Sequence, residues 1–332
     1  MHRFERISNI DLILQVTTTP AVTTAEVNTT VVTTMPTTPA PVASLILIAG
    51  SGLVSNRATV ELLTGSNQKQ LANLPTGSYG PSLINHYGDI LICGGYASAP
   101  QQSCFQLSNG PSWLSHSSLN TARYHSGAAT TNSGSFIFGG GSSSRGTFEY
   151  MTKGDTNWQT GNQYIPNGFE SGCVIKISDE ILYLIGGISS ASFYERRILA
   201  FNTTLSTKLI TGRSEHSCEF IPNTNKVMIS GGYGYNVGNL YVTEVLDITT
   251  GSTSHGPAMN LKRGYHGSGI ITVDGEDRLA VFGGAGSSRR DSIELFNPQT
   301  NSWQMMSETL TEPKHAFGFL TIKEGDINDF LL

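Results

Sequence analysis

The chemistry-bearing residues of this chain recur at fixed places along it. His125, His216, His266 and His315 each follow a basic residue at the start of an apolar strand, as in Arg123-Tyr124-His125-Ser126 and Arg263-Gly264-Tyr265-His266-Gly267. Such recurrence predicts equivalent positions, one per repeat, whereas a metal needs donors converging within about 2 Å of one point. The histidines are therefore expected to pin a strand by hydrogen bonding, with no metal and no cofactor bound. A second set joins basic and aromatic side chains: Arg123, Tyr124, Arg145, Tyr194, Arg196, Arg197, Arg213, Tyr233, Tyr235, Arg263, Tyr265, Arg289 and Arg290. Guanidinium forks with aromatic neighbours suit an acidic peptide or an anionic glycan; the alternative is that several arginines bond loop carbonyls within the repeat. Cys93 and Cys104 flank a Gly pair so as to face each other across one antiparallel ladder, which makes a disulfide between them plausible. Cys173 and Cys218 are 45 residues apart and occupy matching sites in successive repeats, and spacing leaves their pairing open. Asn28 and Asn202 begin N-glycosylation sequons.

The composition narrows the classes that could carry these residues. With 20 Lys+Arg against 25 Asp+Glu in 332 residues, the net charge of −5 lacks the bulk positive charge of a general nucleic-acid binder. No apolar run is long enough to span a bilayer. Thirty-seven Gly and 14% charged residues fit an all-β chain better than a helical one, since Gly is costly inside helices. Residues 17–44 hold 11 Thr and 4 Pro with one charge, Glu26, and read with 1–16 as a disordered stalk or linker over 1–44, open to O-glycosylation. Within 1–16 only Ile10–Val16 is apolar, too short and polar for a secretory core.

From Leu45 onward an apolar run ends in a Gly pair: LILIAG, ILICGG, FIFGG, LYLIGG, VMISGG and LAVFGG. Taking the first Gly of each pair, or Ala49 in its place, gives positions 49, 94, 139, 186, 231 and 283, a period of 45 to 52. Downstream comes a strand with a central Glu (VELL, FEY, EVLD, IELF), then in three copies a Trp, 18 or 19 residues after the second Gly: Trp113, Trp158 and Trp303.

This unit resembles the kelch repeat. The resemblance covers roughly 45–323 and implies a six-bladed β-propeller, with the Gly pair ending the second strand of each blade and the Trp packing between blades. The first copy lacks a His-type strand and the chain ends with one unused, Lys314–Ile322; the two complement each other. That predicts closure of the first blade by the C-terminal strand, leaving 324–332 as a tail. The resemblance places the basic, aromatic loops on one face and implies a monomeric, non-catalytic module recognising a protein or anionic glycan. A second kelch-type activity, sugar mutarotation by a six-bladed propeller, is the alternative. Copper oxidases of the family need a further domain, and its intracellular adaptors a longer amino-terminal one. The stalk, sequons and Cys93–Cys104 point to the cell exterior; in the cytoplasm paired thiols would be merely buried.

Overall fold

A computed structural model describes residues 43–324 apart from 66, 67, 109–111, 163, 191, 202–206 and 289. The expectations for 1–42, including Asn28, and for Asn202, Arg289 and most of the tail lie outside the described residues. All of the sheets formed are antiparallel.

Six of the seven sheets among the described residues share one plan, a first strand at one edge and the later strands laid outward in chain order; the seventh is a small sheet of Arg213–Ser214, Tyr233–Gly234 and Gly238–Asn239. The second sheet runs Ser82–His86, Asp89–Cys93, Cys104–Leu107 and Trp113–His116; the third runs Gly127–Thr130, Gly134–Phe138, Phe148–Thr152 and Gln159–Thr160. The fourth has three described strands, Cys173–Lys176, Leu182–Ile185 and Ile198–Phe201. The fifth runs Ser217–Phe220, Lys226–Ser230, Thr243–Asp247 and Ser252–His255, and the sixth Gly267–Val273, Glu276–Phe282, Ser292–Asn297 and Ser302–Thr309. The first sheet draws on both ends of the unit. Ser44–Ala49, Val60–Leu63 and Gln68–Leu71 are joined by Gly318–Lys323, which pairs with Ser44–Ala49 from Ser44↔Lys323 to Ala49↔Gly318.

The alternation of each strand sends apolar side chains to both faces, so every sheet packs on two neighbours. Leu47 and Leu62 meet Leu83 and Trp113 between the first and second sheets. Cys104 meets Ile137 and Trp158 between the second and third, and Phe138 meets Leu184 between the third and fourth. Ile185 meets Ile229 between the fourth and fifth, and Met228 meets Val281 and Trp303 between the fifth and sixth. Ile46 and Ile48 meet Ile271 and Phe282 between the sixth and first. Each fully buried Leu, Ile or Phe contributes about 1.5–3 kcal/mol, so these layers hold the sheets together. The indole N–H groups of Trp113 and Trp303 donate to Ala72 O and Pro257 O, both at 3.0 Å, fixing the outer strand to the preceding connection.

The Gly pair has a steric cause. Gly139 has φ +61, and a Cβ there would lie 1.9 Å from Phe169 O of the next sheet, whose carbonyl instead accepts the Gly140 N–H at 2.8 Å. The same bonds re-register the first copy. Gly50 donates to Thr59 O and Ser51 to Ser78 O, so Gly50-Ser51 is the equivalent pair, not Ala49-Gly50.

Four sheets carry a buried ion pair that the sequence showed in two unconnected halves. A basic residue ahead of the first strand reaches the Glu of the third: Arg123 to Glu149 (3.0 Å), Arg213 to Glu244 (2.6 Å), Arg263 to Glu294 (3.0 Å) and Lys314 to Glu61 (3.5 Å). Each guanidinium also donates to the carbonyl of the first glycine, Gly139, Gly231 or Gly283. Each Glu accepts a backbone N–H from the incoming loop, for example Asn120 and Thr121 onto Glu149. Buried charges paired and hydrogen-bonded in this way are structural braces. In the second sheet Ser78 takes the cation's place and Phe105 that of the Glu; in the fourth, Phe169 and Leu199 do so.

Candidate functional site

Two residues after each cation-type position, the chain takes a left-handed turn. Gly80, His125, Ser171, Glu215, Tyr265 and Ala316 have φ between 49 and 61. Their backbones form a cycle. His125 N–H donates to Gly80 O, Ser171 to His125 O, Glu215 to Ser171 O, Tyr265 to Glu215 O, Ala316 to Tyr265 O, and Gly80 back to Ala316 O, all between 2.6 and 3.0 Å. Five of these positions are not glycine, and a left-handed residue with a Cβ costs about 1–2 kcal/mol, which the paired donors and acceptors offset.

This cycle rims a cavity of about 350 Å³ whose wall is built from the first strands of all six sheets. One sector of the rim is polar. The Tyr265 hydroxyl bonds to Glu215 and Ser171, and the His125 ring lies 4.8 Å from the Tyr265 ring with Nδ1 3.4 Å from Ser171 Oγ. Tyr79 and Tyr124 stand over His125 at 5.5 and 5.2 Å. Burial pushes the Glu215 carboxyl up to about 7, with the Tyr265 hydrogen bond opposing, and pulls His125 down to about 4. Glu219, deeper along the wall on Ser217–Phe220, is likewise pushed up to about 7 by burial. No cation ion-pairs with Glu215 or Glu219 among the described residues. No group of three metal-ligating side chains occurs among them either.

The histidines are not equivalent. His216 and His266 stand three residues after Arg213 and Arg263, His125 two after Arg123, and His315 one after Lys314, so a slip of one residue sends each ring elsewhere. His266 bonds Ser217 Oγ at 2.9 Å, as expected of a strand pin, whereas His216 bonds no side chain among the described residues and burial pulls it down to about 3.

The basic face needs a correction as well. Arg123, Arg213 and Arg263 are at most 1% exposed, because they are the braces described above, and they cannot touch a ligand. Arg145 is held by Glu170. Arg196 donates to Leu209 O at 2.7 Å, and Arg197 donates to Gly168 O at 2.8 Å and to Pro166 O. Arg290 is half-buried. The aromatic half of the set fares differently. Tyr194 stacks on Tyr233 at 5.9 Å and approaches Tyr235 at 6.0 Å, and Tyr235 is 71% and Phe193 68% exposed. The pairing Ser214↔Tyr233 sets this patch one residue from Glu215, while Tyr265 lines the mouth itself and Tyr124 packs against His125 and Tyr79.

The cysteines form two pairs at disulfide distance: Cys93–Cys104 with Cα atoms 4.1 Å apart, and Cys173–Cys218 at 5.9 Å, the latter joining the first strands of the fourth and fifth sheets. No helix among the described residues is long and apolar enough to cross a membrane.

No protein-family model matches the chain. An F-box/kelch-repeat protein of Arabidopsis thaliana is 25% identical over 149 residues, which is 43% of this chain and 35% of that protein, so the chain matches about a third of its relative's length. With the antiparallel sheets, that similarity is consistent with a kelch-type β-propeller.

Proposed function

We propose that the chain is a six-bladed kelch-type propeller, closed by Gly318–Lys323, that acts as a monomeric, non-catalytic module binding a protein through the face around the mouth. The patch of Phe193, Tyr194, Tyr233 and Tyr235 carries this reading, because exposed contiguous aromatics are the residue type on which protein interfaces concentrate their energy. The ring count and closure rest on the backbone cycle and the six apolar layers between sheets. Kelch repeats in the plant relative favour a protein partner over a glycan. Comparative affinity capture tests the face: Phe193→Ser with Tyr235→Ser in the full chain should lose the proteins retained by the wild type. The control Leu114→Ser, on an outer strand, should keep them; equal capture by all three forms removes the assignment.

The two cysteine pairs favour an oxidising, extracellular setting, with occupied sequons at Asn28 and Asn202. Peptide mapping without reductant and glycan release would check this together. The competing enzymatic reading, interconversion of sugar anomers, draws on the Glu215–Tyr265 pair as proton donor and acceptor. It predicts accelerated anomer exchange by NMR that Glu215→Gln abolishes; no acceleration by the wild type dismisses it.

A further inference from the structure

The charge of the mouth is opposite to that of the loops as the sequence presents them. Two cations near the rim are already engaged: Arg145 with Glu170, and Arg57 with Ala97 O and the Tyr79 ring, 5.3 Å away. Lys176, in the cavity wall, is paired with Asp179 at 2.7 Å. The carboxylates of Glu215 and Glu219 have no such partner among the described residues. A carboxylate withdrawn from water without a cation is costly, and an incoming cation relieves that cost. Tyr265 bonds Glu215 and presents its ring in the cavity wall beside the His125 ring, the kind of ring surface that attracts an ammonium or guanidinium group. The Ser268 hydroxyl, 2% exposed in the cavity wall, has no hydrogen-bond partner and can accept from a donor placed there. The cavity volume of about 350 Å³ accommodates one long side chain rather than a folded element.

We propose that this mouth receives the cationic side chain of a lysine or arginine presented by the partner, paired to Glu215 and flanked by Tyr265. The proposal rests on reading this face as a protein-binding one and names the chemistry of what enters it. It replaces the anionic ligand that the arginine-rich loops suggested.

The test titrates the full chain with four blocked tripeptide amides, Ac-Gly-X-Gly, where X is arginine, lysine, citrulline or glutamate, followed by NMR. The arginine and lysine peptides should shift mouth resonances, with citrulline, which keeps the shape and loses the charge, binding at least about tenfold more weakly. Glu215→Gln should weaken the arginine peptide by a similar factor; should that variant not fold, Tyr265→Phe is expected to weaken it severalfold. Equal binding of citrulline, preference for glutamate, no binding of any peptide, or unchanged affinity in a folded Glu215→Gln variant would overturn the proposal. Failure of the aromatic-patch variants to alter protein capture, with arginine-peptide binding intact, would instead remove the protein-binding reading and leave the cation pocket standing.

Discussion

The sheets braced by a buried cation–Glu pair and the sheets without one differ in a second way. The second and fourth sheets, which have Ser78 with Phe105 and Phe169 with Leu199 at the brace positions, are also the sheets that contain cysteine pairs. Where the electrostatic tie between first and third strands is missing, a covalent one joins neighbouring strands. Cys93–Cys104 ties the second and third strands of the second sheet, and Cys173–Cys218 ties the fourth sheet to the braced fifth. The second sheet also keeps a small void beside Ser78 and Phe105, the positions at which the third sheet pairs Arg123 with Glu149. A repeat can thus lose its polar brace where a cross-link elsewhere holds one of the strands that the brace would have joined.

Removing one member of a brace should give the largest effect. Arg263→Met leaves Glu294 buried and unpaired and should cost about 3–5 kcal/mol in denaturant unfolding, whereas Arg263→Met with Glu294→Leu should recover most of it. Equal losses in both variants would mean that the pair itself, and not the orphaned charge, is what matters. Breaking the covalent ties comes next. Cys173→Ser with Cys218→Ser should cost about 2–4 kcal/mol, and about 1 kcal/mol more than Cys93→Ser with Cys104→Ser, because it closes 45 residues of chain rather than 11. Melting with and without reductant ranks the two.

The carboxylates of the mouth sharpen the same comparison through pH. Glu215 and Glu219, raised to about 7, bind more protons folded than unfolded, so their contribution falls as pH rises from the ordinary carboxylate range through 7. His125, at about 4, and His216, at about 3, act oppositely; their contribution is present above the ordinary imidazole value and lost on acidification through those values. Glu215→Gln with Glu219→Gln should therefore raise Tm by a few degrees at pH 8 and leave it almost unchanged near pH 4. A fall in Tm at pH 8 would instead mean that these carboxylates are paired like the braces, and a uniform shift that burial does not displace their titration. The smallest effect is expected at Ala316, where φ is 49: Ala316→Gly should be neutral or stabilising by up to about 1 kcal/mol, and Ala316→Val destabilising by a similar amount.

The repeat, the Gly pairs and the inter-sheet Trp positions were legible because each leaves a local signature of residue type and spacing. Cys93–Cys104 was legible for the same reason, since one Gly turn separates its strands. The braces were half visible. The central Glu of VELL, FEY, EVLD and IELF and the leading Arg or Lys were both seen. The separations Arg123 to Glu149, Arg213 to Glu244 and Arg263 to Glu294 could have linked them, but an arginine ahead of a strand reads as a loop cation unless its carboxylate is sought in the same repeat. The mouth was least legible. Its positions are defined by a backbone turn that His, Ser, Glu, Tyr and Ala all adopt here, so residue identity gives no signal, and matching the four histidines by type put three different positions in one class.

The hydrogen-bonded cycle at the mouth fixes a vocabulary. Its six residues are joined into a ring by main-chain bonds, so exchanging a side chain at any one of them leaves that ring of bonds in place, even where the side-chain bonds of Tyr265 with Glu215 and Ser171 are given up. The left-handed turn still screens what can be written there: none of the six is β-branched, and valine, isoleucine and threonine are the residues it penalises most. A library that randomises His125, Ser171, Glu215 and Tyr265 while omitting those three would then explore new specificities on an unchanged frame, each position readable as one letter of the recognition code.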